Sequence, residues 1–563
     1  MALMVLGFIV FISLAYVFYG RWMVRLVGLD DDRVTPAHTK NDGEDYVPTA
    51  PFYLFAQHFS AIAAAGPIAG PIAACLQFGW LPAIVWISLG VVLIGSVHDF
   101  LSLSSSVRHG SVSMAEIASQ EIGSSAGKAM MVFIWIALLY IIVAFADITA
   151  GSFVGVSEEL SSLRTDFNPG GAVAAASIFY LLLSIVMGVL QRFFKAPLWL
   201  WTLIFVPMTF ATAWAGTWVS GWFVADAATW GLIICLYCVV ASMCPVWLLL
   251  QPRGYLGGFV LYSAIAIGLY GVFFGGFEIH QPAFKGWDAG GITGTLFPFL
   301  FVTIACGACS GFHGLVCSGT TSKQIDRESH IHPVGYGAML CEGLVAVLAL
   351  GVVMTLPLDQ IAGLKPGSIY GLGIGRSLSL IIGEENILFA TTFGAMAFST
   401  FVFDTLDVST RLGRYLLQEL FKTTSRKSAF MATVVTAGVP GAILLAGDGS
   451  AWGKYWTLFG ASNQLLAALT LLSITLWLRR AGKRISFTLI PMLFVLTITL
   501  WALVKLSIGN WQSSNGWDAS LFNSLASSAL IGLALFICGA AIVKVRSQEP
   551  LSKEPLSKEP RPA

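Results

Sequence analysis

The sequence predicts an all-α polytopic membrane protein with about fifteen transmembrane helices. Three observations carry this reading. Of 563 residues, 56% are hydrophobic and only 11% are charged, against about 25% charged in soluble domains. Apolar runs long enough to cross the hydrocarbon core, about 20 residues, recur along the chain. Lys and Arg gather in alternate loops, as the positive-inside rule requires.

The runs fall at 3–20, 51–76, 79–104, 128–157, 172–190, 196–216, 228–249, 256–276, 293–318, 333–356, 386–410, 427–446, 452–478, 485–507 and 519–543. The first, Met1 to Tyr19, has no basic leader and is followed by Arg21 and Arg25. It reads as a retained anchor with its N-terminus outside, not as a signal peptide. In that orientation 25 of the 31 Lys and Arg residues lie on the inner side and 6 on the outer. One missed or invented helix would exchange every later loop, so the asymmetry supports fifteen spans with the C-terminus in the cytoplasm. Arg253 then belongs to an inner loop, and no Arg or Lys lies in mid-span except Lys505, near an outer end. Outer loops 277–292 and 357–385 are long enough to hold short re-entrant or surface helices. The tail repeats LSKEP over 551–560; it is polar and proline-bearing, and disorder is expected.

A net charge of +1 gives no reason to expect nucleic acid. The nine cysteines lie almost entirely within apolar spans, which argues against an extracellular disulfide framework.

The second span contains HFSAIAAAGPIAGP (58–71), with Gly66-Pro67 and Gly70-Pro71 in mid-membrane. Proline in a helix interior costs about 3 kcal/mol and glycine about 1, so the helix is expected to break here. The ninth span contains TIACGACSGFHG, with Gly307, Gly311 and Gly314. The two segments cross in opposite directions. Two spans after each comes a segment with acidic residues: FADITAGS, with Asp147 and Thr149, and FDTLDVSTR, with Asp404, Thr405, Asp407, Ser409 and Thr410. Interrupted spans at matched, inverted positions point to a transporter binding site; the plain alternative is tight packing through small residues. The substrate is expected between Ala65, Gly66, Pro67, Ala69 and Gly70 on one side and Gly307, Ala308, Cys309, Ser310 and Gly311 on the other. Half-helix N-termini near Ile68–Pro71 and Ser310–His313 would supply free N–H groups to an anion. The expected division is an anchor and cytoplasmic loop (1–50), a first repeat (51–216), two additional helices with an outer loop (217–292), a second repeat (293–478), two C-terminal helices (479–545) and the tail (546–563).

Ionisable groups within spans are costly and usually functional. They are His58, His98, Asp99, Asp147, His313, Glu342, Asp404 and Asp407. By span direction all but Asp147 lie toward the cytoplasmic third. Asp404, Thr405, Asp407, Ser409, His58, His98, Asp99 and Asp147 are the candidates for ion or proton coupling. The cluster suits a proton relay, a Na⁺ site using freed backbone carbonyls, or a divalent metal on His98, Asp99 and His313; the bland alternative is solvation at the headgroups. Cys306-x-x-Cys309 has the spacing of a redox or zinc pair but no second CxxC, and reads as packing beside a break. No resident cofactor is expected. Enzyme motifs are missing: the stretch before Gly453-Lys454 has Asp448 and Tyr455 where a phosphate loop needs Gly and Ser/Thr, and there is no HExxH.

Five stretches together resemble the carbon starvation protein A (CstA) family: HFSAIAAAGPIAGP, FGWLPAIVWISLGVVLIGSVHDF (78–100), ACGACSGFHGLVCSGTTSKQI (305–325), GYGAMLCEGL (335–344) and TLDVSTRLGRYLLQE (405–419). The resemblance implies a bacterial inner-membrane transporter induced when carbon is scarce, taking up pyruvate or peptides with protons. It implies kinship with amino acid–polyamine–organocation transporters, whose LeuT-like core is a five-plus-five inverted repeat with broken first and sixth helices. Spans 51–76 and 293–318 would be those helices. A Na⁺ or cation-mimicking site would lie between core helix one and core helix eight (386–410, bearing Asp404 and Thr405). The expected function is therefore proton-coupled import of a small carboxylate or short peptide. A channel, a membrane sensor of carbon status and Na⁺ coupling are the alternatives.

Overall fold

The computed structural model describes residues 1–43, 45–63, 65–154, 167–446, 451–516 and 518–547. The LSKEP tail and Asp448 lie outside them. The principal helices are α1 (Ala2–Val27), α2 (Pro51–Ile62), α3 (Gly66–Phe78), α4 (Trp80–Arg108), α5 (Met114–Glu121), α6 (Ser124–Val154), α7 (Pro169–Phe193), α8 (Leu198–Trp218), α9 (Ala227–Met243) and α10 (Leu250–Phe274). They continue with α11 (Leu296–Thr303), α12 (Gly311–Gly319), α13 (Glu328–Met354), α14 (Pro366–Ile382), α15 (Ile387–Leu420), α16 (Arg426–Ala446), α17 (Ala451–Arg480), α18 (Ser486–Ser513) and α19 (Ala519–Ser547).

Among the described residues, thirteen helices are long and apolar enough to cross a membrane, and the protein is a multi-pass membrane protein. The two other expected spans are present in shorter form: α9, of 17 residues, and the interrupted pair α11 and α12. The loop expected over 357–385 holds α14, which packs along α15.

Local sequence sets the helix ends. Ser113 accepts from the Glu116 N–H, the first half of a capping box. Asn168 accepts from Gly171 N–H ahead of Pro169, and Asp226 accepts from Thr229 N–H. Gly79, at φ 93°, turns the chain sharply between α3 and α4; a Cβ there would meet the Ala283 carbonyl oxygen at 2.5 Å.

Burial separates a centre from a lipid-facing shell. In their most apolar stretches, the α2–α3 segment and α17 are 88% and 89% buried, against 22% for α1 and 28% for α8 and α19. The packing also pairs helices from the two halves. α10 lies against α2, α14 and α15, whereas α17 lies against α11, α12, α5 and α6. α9 and α16 pack on each other, and each touches both α6 and α15.

Candidate functional site

Both expected breaks are present and they meet at the centre. α2 leaves helical geometry at Ala63 (φ −80°, ψ 49°), and α3 starts at Gly66 with Pro67 in its first turn. Proline is tolerated there because a first-turn N–H has no intrahelical partner. The half-helix thus begins two residues ahead of the expected Ile68. Gly70 and Pro71 lie inside it, two breakers that the break does not absorb. The second interruption runs from Ile304 (φ −100°, ψ 45°) to Ser310 (φ −115°, ψ 124°). A Cβ on Gly66 would collide with the Cys306 side chain, and one on Gly70 would meet the Thr303 carbonyl oxygen at 2.6 Å. Only glycine lets the two segments approach so closely.

A cavity of about 10 Å³, room for one water, lies between the breaks, bordered by Gly66, Cys306, His313, Thr405 and the aromatic rings of Phe145 and Phe459. Of the ten residues expected to bind substrate, Gly66 borders it. Ala65, Pro67, Ala69 and Cys309 are buried. Gly307 packs on Ala346, Ala308 against Gly90 and Gly95 of α4, and Gly311 against Leu466 and Ala467 of α17. Ser310 and the Phe312 N–H hydrogen-bond with Asn463, the latter at 2.8 Å. Asn463, absent from the sequence-based set, thereby caps α12. Its amide also reaches Cys306 Sγ at 3.2 Å. All nine cysteines are free thiols.

Beside this cavity stands a buried cluster of one guanidinium and two carboxylates. Arg253, in the first turn of α10, is fully buried. Its Nε donates to Asp404 Oδ1 at 2.8 Å, and its Nη2 lies 2.6 Å from the same oxygen. Its Nη1 donates to Asp407 Oδ2 and, at 2.8 Å, to Tyr237 Oη. Tyr237 donates to Asp407 Oδ2, also at 2.8 Å. Ser60, on the last turn of α2, donates to Asp404 Oδ2, and Thr405 donates to the Ala61 carbonyl oxygen at 3.1 Å. The assignment of Arg253 to an inner loop is thus corrected: it is an intramembrane counter-ion that ties α10 to α15. The signal for it was present. Asp404 and Asp407, three residues apart, share one helix face, and two buried carboxylates demand a cation.

A second chain of ionisable groups runs alongside. His98 Nδ1 and His313 Nδ1 each reach one oxygen of Asp99, at 2.7 and 2.8 Å. His313 Nε2 lies 3.1 Å from Glu342 Oε2. The four side chains are buried and come from α4, α12 and α13. A π-helical turn at Val91–Gly95 in α4 and another at His332–Gly337 in α13 precede Asp99 and Glu342; such turns re-aim the side chains that follow. Among the described residues no group of three or more His, Cys, Asp or Glu is gathered to hold a metal ion. His58 Nδ1 hydrogen-bonds Thr321 Oγ1 at 2.9 Å. Ser409 is buried without a hydrogen-bond partner.

Asp147 stands apart, as its span direction predicts. It accepts from Lys365 Nζ and from the Trp452 N–H, both at 2.9 Å, through Oδ2. The bonds tie α6 to the start of α14 and to α17.

The Carbon starvation protein CstA family profile matches residues 1–371 and 361–502. The chain belongs to the CstA family. A peptide transporter CstA of Bacillus subtilis is 32% identical, over 95% of each chain. The pyruvate/proton symporter BtsT of Escherichia coli is 30% identical, over 87% of this chain and 79% of that protein. The Escherichia coli peptide transporter CstA is likewise 30% identical, over 90% of this chain and 80% of that one. A solved manganese transporter of Eremococcus coleocola aligns over 90% of this chain and 98% of its own at TM-score 0.45 and 14% identity, too remote to bear on the fold or the site of this CstA-family protein.

Proposed function

We propose that this CstA-family chain is a secondary transporter that imports a small carboxylate or a short peptide with protons, across the bacterial inner membrane, during carbon starvation. One observation carries the coupling: two buried carboxylates, Asp404 and Asp407, face one guanidinium, Arg253. With both ionised, the cluster holds a surplus negative charge in a low-dielectric interior, and one proton neutralises it. Ser60 and Ala61, which hydrogen-bond Asp404 and Thr405, end the half-helix that borders the central cavity. Protonation there acts on the break itself. Arg253 stands between α2 and α15, where the family resemblance puts a cation, so a Na⁺ ion would meet an existing positive charge. Asp99, already bonded to both imidazoles, reads as the acceptor that orients the two histidines and not as a metal ligand.

The positive dipole end of α3 at Gly66 favours a carboxylate, and among the described residues no Asp or Glu borders the cavity. A peptide's ammonium group would find no anionic partner there, which favours the small carboxylate. The names of the relatives support both substrates.

The paired packing supports an inverted repeat in which α10 is the counterpart of α17 and α9 of α16. On this reading the helices without a counterpart are α7 and α8, in place of the expected pair within 217–292. The face that carries residues 28–50 and 320–327 is cytoplasmic, the N-terminus is outside and the C-terminus inside.

Uptake of labelled pyruvate and dialanine into proteoliposomes tests the reading. An inward proton gradient should drive accumulation, and Asp404→Asn should abolish the drive. Indifference to the gradient, or full coupled uptake by Asp404→Asn, rejects it.

A further inference from the structure

Two separate cavities open on the inner side of the site, divided by α12 and α15. The first is about 10 Å³, one water's room, and joins Asp404 and Gly254 to His58, Gln57, Thr320 and Thr321. The second is a vestibule of about 490 Å³, bordered by Leu315, Ser318 and Gly319 of α12, Leu412 and Glu419 of α15, and Lys323. Val316 and Val408 face the small chamber, whereas Leu315 and Leu412 face the vestibule. The two helices therefore present different faces to the two spaces.

The small chamber has a mixed lining, with Gln57, His58, Thr320, Thr321 and Asp404 among apolar residues, and unused hydrogen-bonding capacity. His58 is fully buried, its Nδ1 is held by Thr321, and its Nε2 has no partner. Gln57 Oε1, also buried, has none. Orphaned buried atoms of this kind bind water. Beyond the chamber a polar line continues outward. The Thr320 carbonyl oxygen accepts from Gln324 Nε2 at 3.3 Å, and Gln324 Oε1 accepts from the half-exposed Gln251 at 3.5 Å. The vestibule is far too wide to guide a proton but has the size of a substrate path.

We propose that proton and substrate leave by different inner routes: the proton from Asp404 through the chamber to His58, the substrate through the vestibule. This rests on the transport function proposed above. In the step, the Asp404 O–H bond breaks and its proton passes through a water to His58 Nε2, forming an N–H bond and an imidazolium. The Asp404 carboxylate re-forms its full ion pair with Arg253. The imidazolium then gives its proton to water on the Gln57–Thr320 side, restoring neutral His58. The charged and titratable groups around His58 are Asp404 on α15 and Arg253 behind it on α10, Asp99 on α4, and His313 on α12 with Glu342 of α13 behind it.

The test separates net transport from exchange, since exchange returns the carrier with its proton still bound. Labelled pyruvate and dialanine are the probes, in proteoliposomes. Wild-type protein that fails to accumulate either under an inward proton gradient rejects the transport function, before any variant is compared. Given wild-type accumulation, His58→Gln should slow gradient-driven net uptake about a hundredfold, the lower side of what a positioned proton-transfer group contributes, with exchange within about twofold of wild type. Thr321→Val, which removes only the Nδ1 partner, should show the same split at smaller size. Leu315→Trp, which narrows the vestibule beside α12, should slow net uptake and exchange together. The proposal is overturned if His58→Gln keeps net uptake. It is equally overturned if both His58→Gln and Thr321→Val, at unchanged thermal midpoint, lose exchange and net uptake in parallel.

Discussion

Arg253 and Asp404 lie 151 positions apart in the chain, yet Arg253 Nη2 sits 2.6 Å from Asp404 Oδ1 with both side chains out of reach of solvent. An ion pair so buried stabilises little relative to an apolar replacement of both members, but the loss of one member leaves an uncompensated charge. Arg253→Met should therefore destabilise the purified protein by about 3–5 kcal/mol, read as a fall in thermal midpoint. Adding Asp404→Asn and Asp407→Asn should restore much of the loss. Strict additivity of the three changes would show that the groups do not interact.

The close approach of the two breaks can be tested at Gly66. A methyl group there collides with Cys306, and such overpacking costs about 1–3 kcal/mol. Gly66→Ala should lower both the thermal midpoint and uptake. Cys306→Gly, which clears the colliding atoms, should restore both in the double variant. If it restores neither, the two segments do not meet as described.

Asn463 carries the N-terminus of α12. Replacing it with Leu leaves the buried Phe312 N–H and the Ser310 hydroxyl short of a partner, at a cost of about 1–3 kcal/mol for the orphaned donor. Asn463→Asp keeps the acceptor and should retain the cap. Equal thermal midpoints for the Leu and Asp variants would contradict this role.

Lys365 donates to Asp147, and the Trp452 N–H is held by the same carboxylate oxygen. Loss of the pair should loosen α14 from α6. In a protein that keeps Cys306 as its only cysteine, Lys365→Ala should raise the labelling rate of Cys306 by a membrane-impermeant maleimide about fivefold, as expected for roughly 1 kcal/mol of bias toward an open state. An unchanged rate would assign the pair a purely static role.

Much of this was legible in the sequence, because a membrane imposes strong local rules. Segments such as 124–154 and 451–480 must satisfy their own backbones in lipid, so length and hydropathy mark them. The Gly-Pro pairs at 66–71 mark a break wherever the segment packs. The acidic spans that carry Asp147 and Asp404 were visible for the same reason. Residues whose meaning depends on a distant partner were not legible. Arg253 follows Gln251-Pro252 at the margin of an apolar run and looks like any inner-loop arginine. Gly307, Ala308 and Gly311 look like a binding surface, but α4, α13 and α17 cover them.

By itself the sequence determined a multi-pass helical protein, the location of both interruptions and, Arg253 excepted, the short roster of ionisable groups in the membrane, since lipid penalises each of these locally. Only the tertiary structure decided how that roster is shared out: Arg253 with Asp404 and Asp407, His98 and His313 with Asp99, Lys365 with Asp147. Pairing is a matter of a few ångströms between helices far apart in the chain, and Coulomb energy in a low-dielectric interior is steep in that distance.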